Sequence, residues 1–134
     1  MDQRKKTERE TSLSGQAEQE CRALASIIDR IGDKWTVMVL GHLSEGTHRF
    51  NALMRKIPGI SHRMLTLTLR GLERDGLVNR TAFATIPPRV DYTLTPLGNT
   101  LTDPLSVLAA WARSNRAEIE RAQSNYDKER EGSD

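Results

Sequence analysis

The segment Ile60-Ser61-His62-Arg63-Met64-Leu65-Thr66-Leu67-Thr68-Leu69-Arg70-Gly71-Leu72-Glu73-Arg74-Asp75-Gly76 reads as one helix with two unlike faces. Ser61 occupies an N-cap position, and Ile60 before it pairs with Leu65 in the hydrophobic-staple arrangement that fixes how a chain enters a helix. Leu65, Leu69 and Leu72 recur at helical spacing and form one apolar stripe. At about 100° per residue, Arg63, Thr66, Leu67, Arg70 and Arg74 fall on the opposite side. Asp75-Gly76 is a turn signal that ends the element.

Downstream the hydrophobic period changes from helical to extended. Leu77 to Ala84 is rich in β-branched and aromatic residues, Thr85 to Pro88 interrupts, and Val90, Tyr92 and Leu94 alternate with Asp91 and Thr93. That pattern predicts a hairpin with Pro87 and Pro88 at its tip. Thr95 can cap a following helix whose first residue is Pro96. The helix continues through Leu97, Leu101, Leu105, Leu108 and Trp111 toward residue 126, with a bend expected at Pro104. Upstream, Leu24, Ile27, Ile28 and Ile31 predict a helix over 20–31, and Asp33 caps a second through Trp35, Val39, Leu40 and Leu43. Phe50, Leu53, Met54 and Ile57 mark a third, stopped by Pro58-Gly59. The fold class this implies is mainly α with a small β-hairpin, in the element order of a winged helix-turn-helix. Residues 1–18 read as a disordered or frayed arm, 19–126 as one domain, and 127–134 as a polar tail.

The 134 residues leave room for one domain, and the net charge of +2 conceals an uneven distribution. Between residues 46 and 90 stand Arg49, Arg55, Lys56, Arg63, Arg70, Arg74, Arg80 and Arg89 against only Glu73 and Asp75, a local net charge of +6. Such a concentration suits a polyanionic partner. The major groove of B-DNA admits one α-helix, so a leucine-anchored helix can offer Arg63 and Arg70 to guanine edges and phosphates. Thr66 is expected to donate to a phosphate or base edge, and Leu67 to touch a thymine methyl. Ser61, His62 and Arg49 flank this face, Arg74 extends it, and Arg80 and Arg89 place positive charge on the hairpin. Two other readings stand beside this one. The arginines could form an ordinary solvated face, or the module could dock an acidic protein.

Several separated motifs resemble the HxlR-type bacterial transcription regulators, a MarR-like winged-helix family. They are Cys21 to Trp35 with its Ile31-Gly32-Asp33-Lys34-Trp35 segment, Arg49-Phe50-Asn51-Ala52-Leu53, Ile57-Pro58-Gly59-Ile60-Ser61, Arg63-Met64-Leu65, Leu72-Glu73-Arg74-Asp75-Gly76-Leu77-Val78, Pro87-Pro88-Arg89-Val90 and Tyr92-Thr93-Leu94-Thr95-Pro96-Leu97-Gly98. The resemblance covers about 21–112. It implies a homodimer on a roughly palindromic double-stranded DNA operator, most often acting as a repressor. It also implies dimer contacts from the first and last helices, for which Leu24, Ile28, Leu101, Leu105, Leu108, Trp111 and Ile119 supply apolar surface. Cys21, the single cysteine, resembles the thiol that senses oxidants or electrophiles in several members, although Arg22 stands where the family commonly has proline. A thiol at a helix start would gain from the helix dipole and Arg22, while Glu18 and Glu20 oppose it. The alternative role for Cys21 is a small buried residue packed against the first helix.

Other chemistry finds no assembled group in the sequence. His42, His48 and His62 lack metal-ligand spacing, and no Gly-rich phosphate loop or nucleophile motif occurs, so neither a metal, a cofactor nor an enzyme activity is expected. No apolar run approaches the roughly 20 residues of a membrane span, and the first residues offer no signal peptide. A cytoplasmic protein of a bacterial cell, without membrane association, is the expectation.

Overall fold

Three side-chain caps set the helix starts where the sequence predicts them. Asp33 accepts from the backbone N–H groups of Trp35 at 2.9 Å and Thr36 at 3.3 Å. Ser61 accepts from Met64 N–H at 3.0 Å, and Thr95 accepts from Gly98 N–H at 2.9 Å. Each satisfies a backbone donor that a helix start otherwise leaves without a partner. A computed structural model describes the backbone of residues 2–132 and the side chains of residues 15–132. The order is α1 (Asp2–Gly32), α2 (Lys34–Leu43), β1 (His48–Arg49), α3 (Phe50–Lys56), α4 (His62–Arg74), β2 (Val78–Phe83), β3 (Arg89–Leu94), α5 (Pro96–Asn99) and α6 (Thr102–Gly132).

The core lies where α2, α3 and α4 meet the base of the sheet. Val39, Leu40, Leu43, Leu53, Ile57, Ile60, Leu65, Leu69, Leu72, Leu77, Val78 and Tyr92 are buried together. Both staple residues, Ile60 and Leu65, are among them, so the entry to α4 is pinned on the core side. Gly59 and Gly76 end their turns at φ +83° and +77°, a left-handed backbone that residues with a Cβ rarely adopt. The sheet has three antiparallel strands in the order β1-β3-β2. Val78 pairs with Leu94 and Phe83 with Arg89 along the hairpin, while His48 and Arg49 pair with Tyr92 and Asp91.

Four differences from the sequence expectation have physical causes. β1 is a third strand of only two residues, too short to show a period of two. The last helix breaks at Thr100 and Leu101, before Pro104, instead of bending there. Pro104 falls in the first turn of α6, where a missing N–H costs no intrahelical bond. The segment expected as a disordered or frayed arm is helical from Asp2 into α1, with Met1 outside the described residues. Its Glu, Gln, Lys and Arg residues are good helix formers without apolar period, so propensity rather than patterning carries it. The expected polar tail likewise stays helical to Gly132, with Ser133 and Asp134 outside the described residues.

Candidate nucleic-acid interface

α4 buries Leu65, Thr68, Leu69 and Leu72 and leaves Arg63, Leu67, Arg70 and Arg74 exposed. Leu67 remains 47% exposed. Among the described residues, Arg63 and Arg70 form no ion pair with a carboxylate. Their guanidinium groups are therefore available to an outside anion. Ser61 accepts one hydrogen bond as the cap, and a hydroxyl that accepts can also donate outward. Thr66 corrects the expectation of an outward donor: it is half-buried, and its hydroxyl donates to the His62 carbonyl at 2.9 Å. Oγ1 there can accept, but its proton is already used within the helix. The His62 ring rests on Phe50 with centroids 4.6 Å apart, which holds the first turn of α4 against α3.

The hairpin presents its arginines differently. Arg80 on β2 is exposed and shares a cleft of about 430 Å³ with Phe50, His62, Arg70 and Tyr92. Arg89 on β3, by contrast, donates from Nε to Asp91 Oδ1 at 2.9 Å and from Nη2 to Oδ2 at 2.8 Å. Its guanidinium also lies 5.1 Å from the Phe83 ring centroid. Arg49 approaches the same carboxylate at 4.0 Å. Hydrogen bonding from Arg89 holds Asp91 below the usual carboxylate range; partial burial opposes this, and the charges of Arg89 and then Arg49 reinforce it. The same hydrogen bond and charge raise Arg89 above its ordinary range. Arg89 is thus exposed, but part of its charge is neutralised by its own strand. Two of its five N–H groups are occupied and three remain.

The sequence reading missed this carboxylate because alternation with Val90 and Tyr92 made Asp91 look outward. β1 lies beside it and the two arginines cover it, leaving it buried. Arg55, known from the sequence only as part of the basic run, and Asn51 line a cleft of about 440 Å³ with Arg49, Pro87, Pro88 and Arg89. His48 has a structural role, as its Nδ1 lies 2.8 Å from the Gly46 carbonyl and its Nε2 2.8 Å from Lys56 Nζ. With Lys56 donating to Nε2, Nδ1 can donate to the Gly46 carbonyl, tying the β1 turn to the end of α3.

A buried-backed arginine helix beside a three-stranded wing is a winged helix-turn-helix. The sequence model of the HxlR-like helix-turn-helix family matches residues 30–120. The chain belongs to that family. It is 43% identical over 93 residues to the HTH-type transcriptional regulator YtfH of Escherichia coli strain K12, covering 69% of this chain and 74% of that protein. The solved structure of the transcriptional regulator ytfH from Salmonella typhimurium superposes with a TM-score of 0.69 at 37% identity, over 75% of this chain and 89% of that one. The redox regulator HypR in its reduced form gives a TM-score of 0.69 at 40% identity, over 74% and 98% of the two chains. This HxlR-like chain is an HTH-type transcriptional regulator, a class that works by binding DNA.

The outer helices of this HxlR-like chain carry much of the exposed apolar surface among the described residues. Leu24, Ile27 and Ile28 on α1 and Val107, Leu108, Trp111 and Ile119 on α6 are exposed, Ile28 by 63% and Trp111 by 58%. Leu101 and Leu105, expected on the same stripe, are half-buried and pack against the chain's own core. Cys21 is exposed, not the small buried residue of the alternative reading. It also lies well inside α1, since that helix begins at Asp2. The helix-start argument for its thiolate therefore falls, because the dipole acts only within the first turn. Among the described residues no helix is long and apolar enough to cross a membrane.

Proposed function

We propose that this chain is a sequence-specific repressor that binds a pseudo-palindromic operator as a homodimer. One observation carries the reading: Arg63, Leu67 and Arg70 stand exposed on a helix whose other face is locked into the core by Leu65, Leu69 and Leu72. α4 enters the major groove with Arg63 and Arg70 at guanine edges and Leu67 at a thymine methyl. Ser61, His62, Arg49 and Arg74 flank it on the backbone, and Thr66 accepts rather than donates. Arg80 and Arg89 carry the wing along the neighbouring phosphates. Residues 19–126 form the binding unit. α1 and α6 pair with those of a second copy through Leu24, Ile28, Leu108, Trp111 and Ile119, because exposed apolar groups clustered on two long helices gain most from being covered. Two-fold pairing sets the reading helices about one DNA turn apart, roughly 34–36 Å. A dimer so seated over a promoter excludes polymerase.

Cys21 is the oxidant- or electrophile-responsive group in this reading. Its exposed thiol precedes Leu24 by three positions and Ile28 by seven, which places it on the apolar face of α1. Modification there adds bulk and polarity to the surface proposed for dimerisation. The likeness to a protein described as a redox regulator supports this assignment.

Selection of bound duplexes from random DNA tests the function. The expected product is an inverted repeat with half-sites one turn apart, and recovery of unrelated sequences would sink the reading. For the thiol, loss of operator binding on mild oxidation is expected in the wild type and not in Cys21→Ser. Equal loss in both proteins would remove Cys21 from the account.

A further inference from the structure

Arg30 near the end of α1 reaches across α4 to Asp75, with Nε 2.7 Å from Oδ2. Its path runs over Gly71: a Cβ at that position would collide with the Arg30 guanidinium. The three nearest atoms to such a Cβ all belong to Arg30. Gly71 is also not required by backbone geometry, because it sits in regular helix without a positive φ. Glycine weakens a helix interior relative to alanine, so a glycine in α4 needs a packing reason. Arg30 passes over this position, so a methyl at Gly71 would require the guanidinium, the mobile end of that side chain, to shift. Hollows of about 600 and 450 Å³ lie on either side of this crossing, and Arg30 lines both. α1 is thus propped against α4 by a charged strut between two gaps rather than by close-packed side chains.

The pair itself is half exposed, at 36% and 34% of the two side chains, so it contributes little to overall stability. Its geometry has a different consequence. The strut joins the helix proposed for dimerisation to the helix proposed to read DNA. We propose that Arg30, seated on Gly71 and held by Asp75, is a positioning residue that fixes the angle of α4 on the dimer, and so determines which half-site spacing the protein accepts. This rests on the homodimer reading above. A strut that holds α4 at one angle lets both reading helices enter the groove at one spacing only. Without it each α4 tilts across the gaps, and neighbouring spacings become acceptable at the expense of the preferred one.

The test uses duplexes selected from random DNA by the wild-type protein, resynthesised with one base pair added to or removed from the spacer. Fluorescence anisotropy would compare wild type with Arg30→Ala, Asp75→Asn and Gly71→Ala, each checked for folding by circular dichroism and for oligomeric state by sedimentation. The variants are expected to remain dimers and to lose about 10-fold of discrimination between the preferred and altered spacers, in the usual range of coupling between two sites. Their preference for the half-site sequence should stay unchanged, which a merely destabilised protein would not show. Asp75→Asn is the decisive variant if the others fold poorly, since it changes charge at constant shape. Folded dimers with wild-type spacer discrimination would overturn the strut alone. A wild type that sediments as a monomer on its selected duplex would overturn the dimer reading and the strut with it.

Discussion

α4 and the hairpin both present arginine to solvent, yet the two regions set that arginine in opposite electrostatic surroundings. On α4, Arg63 and Arg70 pair with no carboxylate among the described residues. On the hairpin, Arg89 is gripped by both oxygens of Asp91, and Arg49 shares the same carboxylate. The comparison teaches that equal residues in a charge run are not equal ligands for DNA. A free guanidinium can satisfy all its donors on a base edge and a phosphate. A guanidinium already held by a neighbour arrives oriented but partly neutralised, which suits positioning on the backbone better than discrimination between bases.

The largest expected effect concerns what lies beneath the free arginines. Leu69→Ala should lower unfolding free energy by about 2–5 kcal/mol, because Leu69 is buried in the core and its truncation leaves a cavity beneath α4. Denaturant titration reads this directly, and a cost near zero would mean that α4 is not held by its leucines. Next, Arg63→Ala and Arg70→Ala should each cost on the order of 1–3 kcal/mol on the selected operator. Repeating the duplex selection with each variant should relax a different base position; uniform weakening across all sequences would place α4 on the backbone instead. Arg89→Ala should cost less and weaken all duplexes evenly. Its slope of log affinity against log salt should fall by about 0.9 or less, one phosphate contact at most. A change in base preference would show the wing to be a reader after all.

The smallest effect probes Asp91. Asp91→Asn frees Arg89 and Arg49, so binding to scrambled DNA should strengthen while the operator preference narrows. The pH dependence has a definite sign. The folded-state value of Asp91 lies below its unfolded value, so its contribution to stability is fully present above the unfolded value of about 4 and is lost as pH falls through the lower folded value. The difference in melting temperature between wild type and Asp91→Asn should therefore be full at pH 7 and shrink in strongly acidic buffer. A gap that widened in acid would contradict the ion pair.

What the sequence revealed follows the range of the physics involved. Caps, staple, turns and the leucine stripe are local, and Asp33, Ser61, Ile60, Leu65 and Thr95 all take the places their spacing dictates. Relations between distant segments were not legible. The pairing of Arg49 with Asp91 depends on a two-residue strand, and the crossing of Arg30 over Gly71 depends on how α1 lies on α4. Thr66 failed for a local reason that a period cannot show, since its hydroxyl prefers the carbonyl four residues back. The α4 face is exposed as its period predicts, apart from Thr66. Only the structure distinguishes free charge from held charge.

The central claim is that α4 reads sequence through its unpaired arginines. The most direct measurement is the ratio of affinities for the selected operator and a scrambled duplex at one fixed salt concentration, in wild type and in the double variant Arg63→Ala/Arg70→Ala. The account predicts a ratio that collapses toward one while binding to scrambled DNA persists through the wing. A double variant that keeps the wild-type ratio would contradict it.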